Sequence, residues 1–410
     1  MDTFQEKLER YAALAVQVGV NIQPGQTLVV TAPLSSAPFV RLVTKKAYEA
    51  GAKNVHVEWS DDEITRIKYE LAPDEAFKEY PLWRARAWEE MAEGNAAFLS
   101  VMASNPDLLQ GIDPERIANA SKASGQALQK WRSYMMTDKT SWSIVAVPSP
   151  AWAAKVFPDL DESRQEEALW DAIFAATRVS AGDPVEAWKE HTRTLDAKAD
   201  HLNAKKYRKL RYQGAGTDLT IELPENHLWV SGGSVNAQGV PFVANMPTEE
   251  VFTAPLKEGV NGTVRSTKPL SYGGTLIKDI SLTFENGKIV DARASAGFEV
   301  LKRLIETDEG SAYLGEVALV PHRSPISDTN IVFFNTLFDE NASSHLAIGK
   351  AYAFCLEGGK SMSPEEQAKN GLNSSLVHVD FMIGSADMNI DGERADGTTE
   401  PVFRDGNWAF

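Results

Sequence analysis

Hydrophobic and polar positions in the first half of the chain switch between two periods. Apolar residues recur at helical spacing over residues 3–18 and 36–50, and each stretch leads into a short β-branched run, at 27–31 and at Asn54-Val-His-Val-Glu58. Further apolar runs at 97–102 and 143–147 lie between long helical stretches. Parallel strands need crossover connections, usually helical, so this alternation predicts an α/β domain with a largely parallel sheet. A helix over 162–180 gives way to Gly182-Asp183-Pro184, an N-cap with proline at the first helical position, which starts another helix. That helix runs toward the basic segment Lys205-Lys-Tyr-Arg-Lys-Leu-Arg211, where cations suit a helix C-terminus.

Beyond residue 195 the pattern becomes mostly period two. Residues 219–223, 262–267, 275–285 and 288–295 read as strands, with Asn286-Gly287 marking a hairpin turn between the last two. A helix over 298–306 precedes another strand around Glu316. The segment 388–403 reads as a hairpin around Asp391-Gly392 and Asp396-Gly397. The expected architecture is therefore an N-terminal α/β domain over 1–195 and a C-terminal α+β domain over 196–410, the latter with a mixed, mainly antiparallel sheet. No internal repeat or low-complexity segment is present, and the five tryptophans between 131 and 188 read as helix packing.

Composition narrows the class. A chain of 410 residues, 43% of them hydrophobic, has ample material for two or three cores. With 41 basic against 57 acidic residues the net charge is −16, which disfavours nucleic acid and anionic membranes as partners. No stretch approaches the ~20 apolar residues that span a bilayer. The single cysteine, Cys355, lies in an apolar stretch without a neighbouring base, and reads as a buried structural thiol. With no internal disulfide possible and a charged N-terminal segment, the expectation is a cytoplasmic protein. The Asn-x-Ser/Thr tripeptides at Asn119, Asn261, Asn341 and Asn373 carry no meaning there.

Candidate chemistry collects in the second half. His378-Val379-Asp380 sits in a β-branched and aromatic run, and residues i and i+2 of a strand share a face, so both side chains can approach one ion. His345 and Tyr352 are seven residues apart, almost two helical turns, and would share a helix face if a helix runs through Gly349. Glu316 enters an apolar run ended by Pro321, where a carboxylate needs a cation or hydrogen-bond donors. Glu249 and Glu250 lie in an extended segment, where neighbours face opposite ways and only one would bind a given metal. Each piece also has an ordinary reading: a hydrogen-bonded His-x-Asp pair, solvent-facing glutamates, a packed tyrosine. None of the spacings matches a compact zinc signature such as His-Glu-x-x-His. Together the residue types are those that two divalent cations require.

Four strings in order, Pro-Thr-Glu-Glu-Val-Phe-Thr-Ala-Pro, Leu-Gly-Glu-Val-Ala-Leu-Val-Pro, the segment from Leu337 to Tyr352, and Val-His-Val-Asp-Phe-Met-Ile-Gly, resemble the thermophilic metallo-aminopeptidase family. The likeness extends to Lys-Leu-Glu-Arg-Tyr-Ala and Gln-Pro-Gly-Gln near the start. It implies metal ligands at Glu250, Glu316, His345, Tyr352, His378 and Asp380, with Glu250 chosen over Glu249 on the family pattern. It also implies two divalent ions per subunit (zinc, cobalt or manganese), peptide substrates with a free N-terminus, and a homodimer whose first domain walls a substrate chamber. The metals would share a water whose pKa falls from 15.7 toward roughly 7, giving a hydroxide that attacks the first peptide carbonyl. Glu249 or Glu316 is the candidate proton shuttle, and Tyr352 is either a ligand or a donor to the oxyanion. Glu340 and Asp339 are available for the substrate ammonium, or are helix N-terminal acids; His322 and Arg323 are not expected as ligands. Two other readings remain: a dinuclear amidohydrolase of non-peptide amides, and a non-catalytic metal or peptide binder.

Overall fold

In the computed structural model, which describes residues 2–410 apart from Ser104 and Pro106, the chain forms two compact units. One comprises Met1–His191 with Gly233–Pro247, the other Thr192–Gly232 with Thr248–Phe410. The segment Gly233–Pro247 thus returns to the first unit, although it lies well beyond residue 195.

The first unit opens with a helix at Phe4–Leu14, started by a capping box in which Thr3 and Glu6 satisfy each other's backbone amides. Its sheet is fully parallel, in the order Asn54–Ser60, Thr27–Pro33, Ala97–Met102, Trp142–Ala146. Leu28, Val29, Val30, Leu99 and Val145 are buried, as in a parallel sheet with both faces covered. Of the tryptophans, Trp152 and Trp188 are fully buried, and the Trp188 indole N–H donates to the Thr177 carbonyl.

The second unit contains two large antiparallel sheets around a shared core. Eight strands run in the order Lys288–Arg293, Ser281–Glu285, Val260–Arg265, Thr217–Glu222, Lys209–Gly214, Asn389–Glu393, Thr399–Arg404, Asn407–Trp408. Five more follow the order His378–Met382, His345–Gly349, Leu314–Leu319, Val251–Thr253, Val230–Ser231. Leu219, Ile221, Val264 and Phe284 of the large sheet join Val317, Leu346, Ile348 and Phe381 of the small one in a single apolar cluster. The α/β first half and the mainly antiparallel second half are those expected from the hydrophobic pattern.

Several local expectations change. The run 275–285 is interrupted: Thr275–Ile277 pairs in a separate two-stranded hairpin, and Asp279 adopts a positive φ before Ser281–Glu285 begins. Asn286-Gly287 does form the turn, with φ of 49° and 82°. Asp396-Gly397 lies in the loop of the C-terminal hairpin, but Asp391-Gly392 lies within a strand. Gly392 is needed there for space, since a Cβ would come within 2.7 Å of the Tyr207 ring. His345 and Tyr352 do not share a helix: His345–Gly349 is a fully buried strand, and Tyr352 follows it in a loop. Leu346 and Ile348 are both core residues at period two, and that burial decides the conformation. Along the basic segment, Lys205, Lys206, Lys209 and Arg211 pair with Glu400, Glu357, Glu222 and Asp218. Among the described residues no helix is long and apolar enough to cross a membrane.

Candidate metal centre

The period of two that buries one face of the small sheet places the chemistry on the other. In the His378–Met382 strand Val379 and Phe381 enter the core, so His378 and Asp380 share the opposite face. In the neighbouring strand Leu346 and Ile348 enter the core and His345 and Ala347 face away. Glu316, Ala347 and Asp380 are aligned across three strands, Ala347 pairing with each of the other two. The small methyl group of Ala347 leaves space between the two carboxylates.

Glu316 reaches this face through an irregularity. The strand register shifts between Leu314 and Glu316, a β-bulge at Gly315. In a regular strand Leu314 and Glu316 would point the same way. The bulge lets Leu314 stay in the core while Glu316 turns to the polar face, the re-aiming that bulges near functional sites perform. Glu250 arrives from the residue before the Val251–Thr253 strand, where the amide of Glu249 donates to the Asn341 Oδ1 at 2.8 Å.

Two groups result, and they share Glu316. Glu250, Glu316 and His345 form one, and Glu316, His378 and Asp380 the other; within each, the candidate ligand atoms lie within 4.8 Å of one another. His345 Nε2 is 3.1 Å from Glu250 Oε2 and 3.4 Å from Glu316 Oε1. His378 Nε2 is 3.6 Å from Glu316 Oε2 and 3.5 Å from Asp380 Oδ1. Tyr352 stands beside the second group, its ring centroid 4.7 Å from that of His378 and stacked on Phe354. Glu249 is buried but belongs to neither group.

The donor chemistry fits divalent cations. Each imidazole donates its Nδ1–H to a backbone carbonyl, His345 to Ser343 at 3.1 Å and His378 to Lys350 at 2.7 Å. That leaves each Nε2 facing carboxylate oxygens, the arrangement of imidazoles oriented to bind a metal. His345 Nε2 and Asp380 Oδ1 are buried and make no well-aligned hydrogen bond, facing only the carboxylates and the His378 imidazole of the same groups, an arrangement that a cation would complete.

Without a cation, protons take its place. Burial opposes charge on His378, yet Asp380 and Glu316 outweigh it and push the imidazole up to about 10. His345 is likewise raised, burial being overcome by Glu250 and Glu316. Glu316 is raised by burial, whereas Asp380 is held low by the two imidazoles despite burial. The Tyr352 phenol is raised by burial and by the surrounding carboxylates.

Glu340, offered by the sequence for the substrate ammonium, lies beside the centre. It starts a short turn at Glu340–Ala342, and its carboxyl is raised well above the ordinary range by burial and then by Asp380 and Glu250. It also accepts a 3.4 Å hydrogen bond from the Asn341 carboxamide. Glu340 and Asp339 are also acids of a first helical turn, as expected: Asp339 in Thr336–Asp339 and Glu340 in Glu340–Ala342. Asp339 ends the short helix Thr336–Asp339 and accepts the amides of Phe333 and Asn335. Its pKa is pushed up to about 7 by burial, against those hydrogen bonds. The place of Glu340 in the sequence beside Asn-Ala-Ser-Ser-His does not reveal that it enters the field of Asp380 and Glu250. Arg323 pairs with Asp328, and the backbone amide of His322 donates to the Gly406 carbonyl.

Comparison with known proteins places the whole chain in one family. Residues 4–408 match the family model of the thermophilic metalloproteases (M29). The chain belongs to this family. It is 61% identical to aminopeptidase AmpS of Bacillus subtilis (strain 168) over the whole of both chains. It is 46% identical to aminopeptidase T of Thermus thermophilus, again over the full length of both. The structure of wild-type AmpT from Thermus thermophilus superposes with a TM-score of 0.94 at 44% identity, covering all of both chains. The M29 metalloprotease fold is thus shared over the whole chain, and divalent metal use follows from the family and from the clustered ligands.

Proposed function

We propose that this M29 protein is a metal-dependent aminopeptidase that releases N-terminal residues from peptides with a free α-amine. The observation that carries the reading is the pair of buried carboxylate and imidazole groups sharing Glu316, in a chain whose relatives are named aminopeptidases. Glu250, Glu316 and His345 would hold one divalent ion, Glu316, His378 and Asp380 a second, with Tyr352 on the His378 side. Mixed oxygen and nitrogen donors without thiolate suit zinc, cobalt or manganese. Such ions supply Lewis acidity toward the scissile carbonyl and acidify a water from a pKa of 15.7 toward about 7.

The remaining work falls to side chains. Tyr352 would serve either as an O–H donor toward the developing oxyanion or, with its phenolate favoured by a bound dication, as a ligand. Transfer of a proton to the leaving amine needs a carboxyl beside the centre, and Glu340 lies within the field of Asp380 and Glu250. Glu340 therefore joins Glu316 and Glu249 as a candidate shuttle. Asp339 is already engaged by two backbone amides, which makes it the weaker candidate for the substrate ammonium.

The test compares leucyl amide with its N-acetylated form after chelation and after re-addition of zinc, cobalt or manganese. Metal-restored turnover confined to the free amine is expected, and Glu316→Gln should abolish it by disrupting both groups. Equal turnover of the acetylated form would instead identify a general amidohydrolase, and stoichiometric metal uptake without turnover of either would identify a binder. A cytoplasmic homodimer completes the reading; light scattering should then give twice the 45.0 kDa chain mass.

A further inference from the structure

The orientation of His378 depends on a carbonyl, that of Lys350, which accepts its Nδ1–H at 2.7 Å. Lys350 is not in a strand; it follows the end of His345–Gly349 in the loop that leads to Tyr352. What fixes this loop also fixes one face of the metal centre.

Asn373 does so from the interior. Its side chain is 2% exposed, and its Nδ2 donates to two carbonyls, those of Gly349 and Gly310, each at 2.7 Å. Its own backbone carbonyl accepts the amide of Ala351 at 2.9 Å. The residues on either side of Lys350 are therefore both held by Asn373. Lys350 itself donates its amide to the Val377 carbonyl at 2.7 Å, next to His378 in the chain. From the other side, Gly315 admits the loop: a Cβ there would lie 2.2 Å from the Lys350 oxygen and 2.4 Å from that of Gly349.

We propose that Asn373 is a positioning residue for the metal centre, clamping Gly349–Ala351 so that the Lys350 carbonyl selects the tautomer and ring orientation of His378. The inference rests on the metal-centre reading above. Its physical basis is that a partner on the far nitrogen of a ligating imidazole fixes which nitrogen faces the metal, and losing such a partner lowers metal affinity by about 10–100-fold. The effect is directional. His345 takes its acceptor from Ser343, outside the clamp, so the Glu250, Glu316 and His345 group should be affected much less.

Zinc binding to the full chain, measured by competitive chelator titration, separates the possibilities. The wild type should take up two ions. Asn373→Ala, which removes the Nδ2 bonds to Gly349 and Gly310 but keeps the Ala351 amide bond, should weaken one of them by about tenfold, the lower end of the range for a direct partner, while the other changes by less than about threefold. Asn373→Ser retains one donor and guards against misfolding of the alanine variant; its weakened site should fall between those of wild type and alanine. Imidazole nitrogen spectra of the zinc-loaded protein should show the His378 Nδ1–H signal broadened or lost in both variants and that of His345 retained. If both variants unfold at lower temperature yet bind two ions with wild-type affinity and an unchanged His378 signal, Asn373 is only structural and the proposal is overturned. A wild type that binds no zinc would instead overturn the metal centre itself, and the proposal with it.

Discussion

At the scale of single residues, the centre depends as much on what is small as on what ligates. Ala347 separates Glu316 from Asp380 across the sheet, its Cα paired with both. A leucine at this position would project between the carboxylates, since the opposite face of the strand is already filled by Leu346 and Ile348. Ala347→Leu is therefore expected to abolish uptake of at least one metal ion by equilibrium dialysis, and overpacking should cost about 1–3 kcal/mol in urea unfolding. Glu340 and Asn341 show the same dependence on context. Glu340 enters the electrostatic field of Asp380 and Glu250, and Asn341, which does not stand out by type or spacing, is fully buried and joined to the Glu249 amide. Asn341 and Asn373, both in Asn-x-Ser tripeptides, are internal hydrogen-bonding groups.

At the scale of elements, the strand carrying His378 and Asp380 is secured at its start by Asp308. Its carboxylate accepts the Ser311 amide, the Ser375 hydroxyl and, at 2.6 Å, the Leu376 amide. Burial raises the Asp308 carboxyl, but these donors outweigh it and hold the group below the ordinary carboxylate range. A depressed folded-state pKa contributes stability above the unfolded value of about 3.9, and that contribution is lost as pH falls through the lower folded value. Asp308→Ala should thus lower stability by roughly 1–3 kcal/mol at neutral pH, with the difference from wild type shrinking in acid, as followed by urea unfolding at several pH values. The elements also show where pattern reading falls short. Strand His345–Gly349 was open to a helical reading because Ala, Leu and Ile suit either, and pairing with the strands on both sides settles it.

At the scale of the whole molecule, the metal centre links fold stability to proton and metal binding. In the metal-free protein His378 is raised to about 10 and His345 is also raised, so the folded chain retains protons that the unfolded chain releases near 6.5. That stabilisation is complete below about 6.5 and is lost as pH rises toward about 10. Chelated protein should therefore lose thermal stability across this window, while metal-loaded protein, its imidazoles held by cations, should not. Calorimetric titration in two buffers of different ionisation enthalpy should show proton release on metal uptake near pH 7. Period two and period 3.6 along the chain determine the alternating α/β first half, the antiparallel second half and the face on which His378 and Asp380 lie, because burial of one face is a local property of sequence. The motif order also identifies Glu250, Glu316, His345 and Tyr352 as candidates. Tertiary structure alone decides that Glu316 belongs to both groups, because a bulge at Gly315 and a strand register specify where a carboxylate points. It likewise decides the return of Gly233–Pro247 to the first unit and the clamp formed by Asn373, since contacts between residues distant in the chain leave no periodic trace in it.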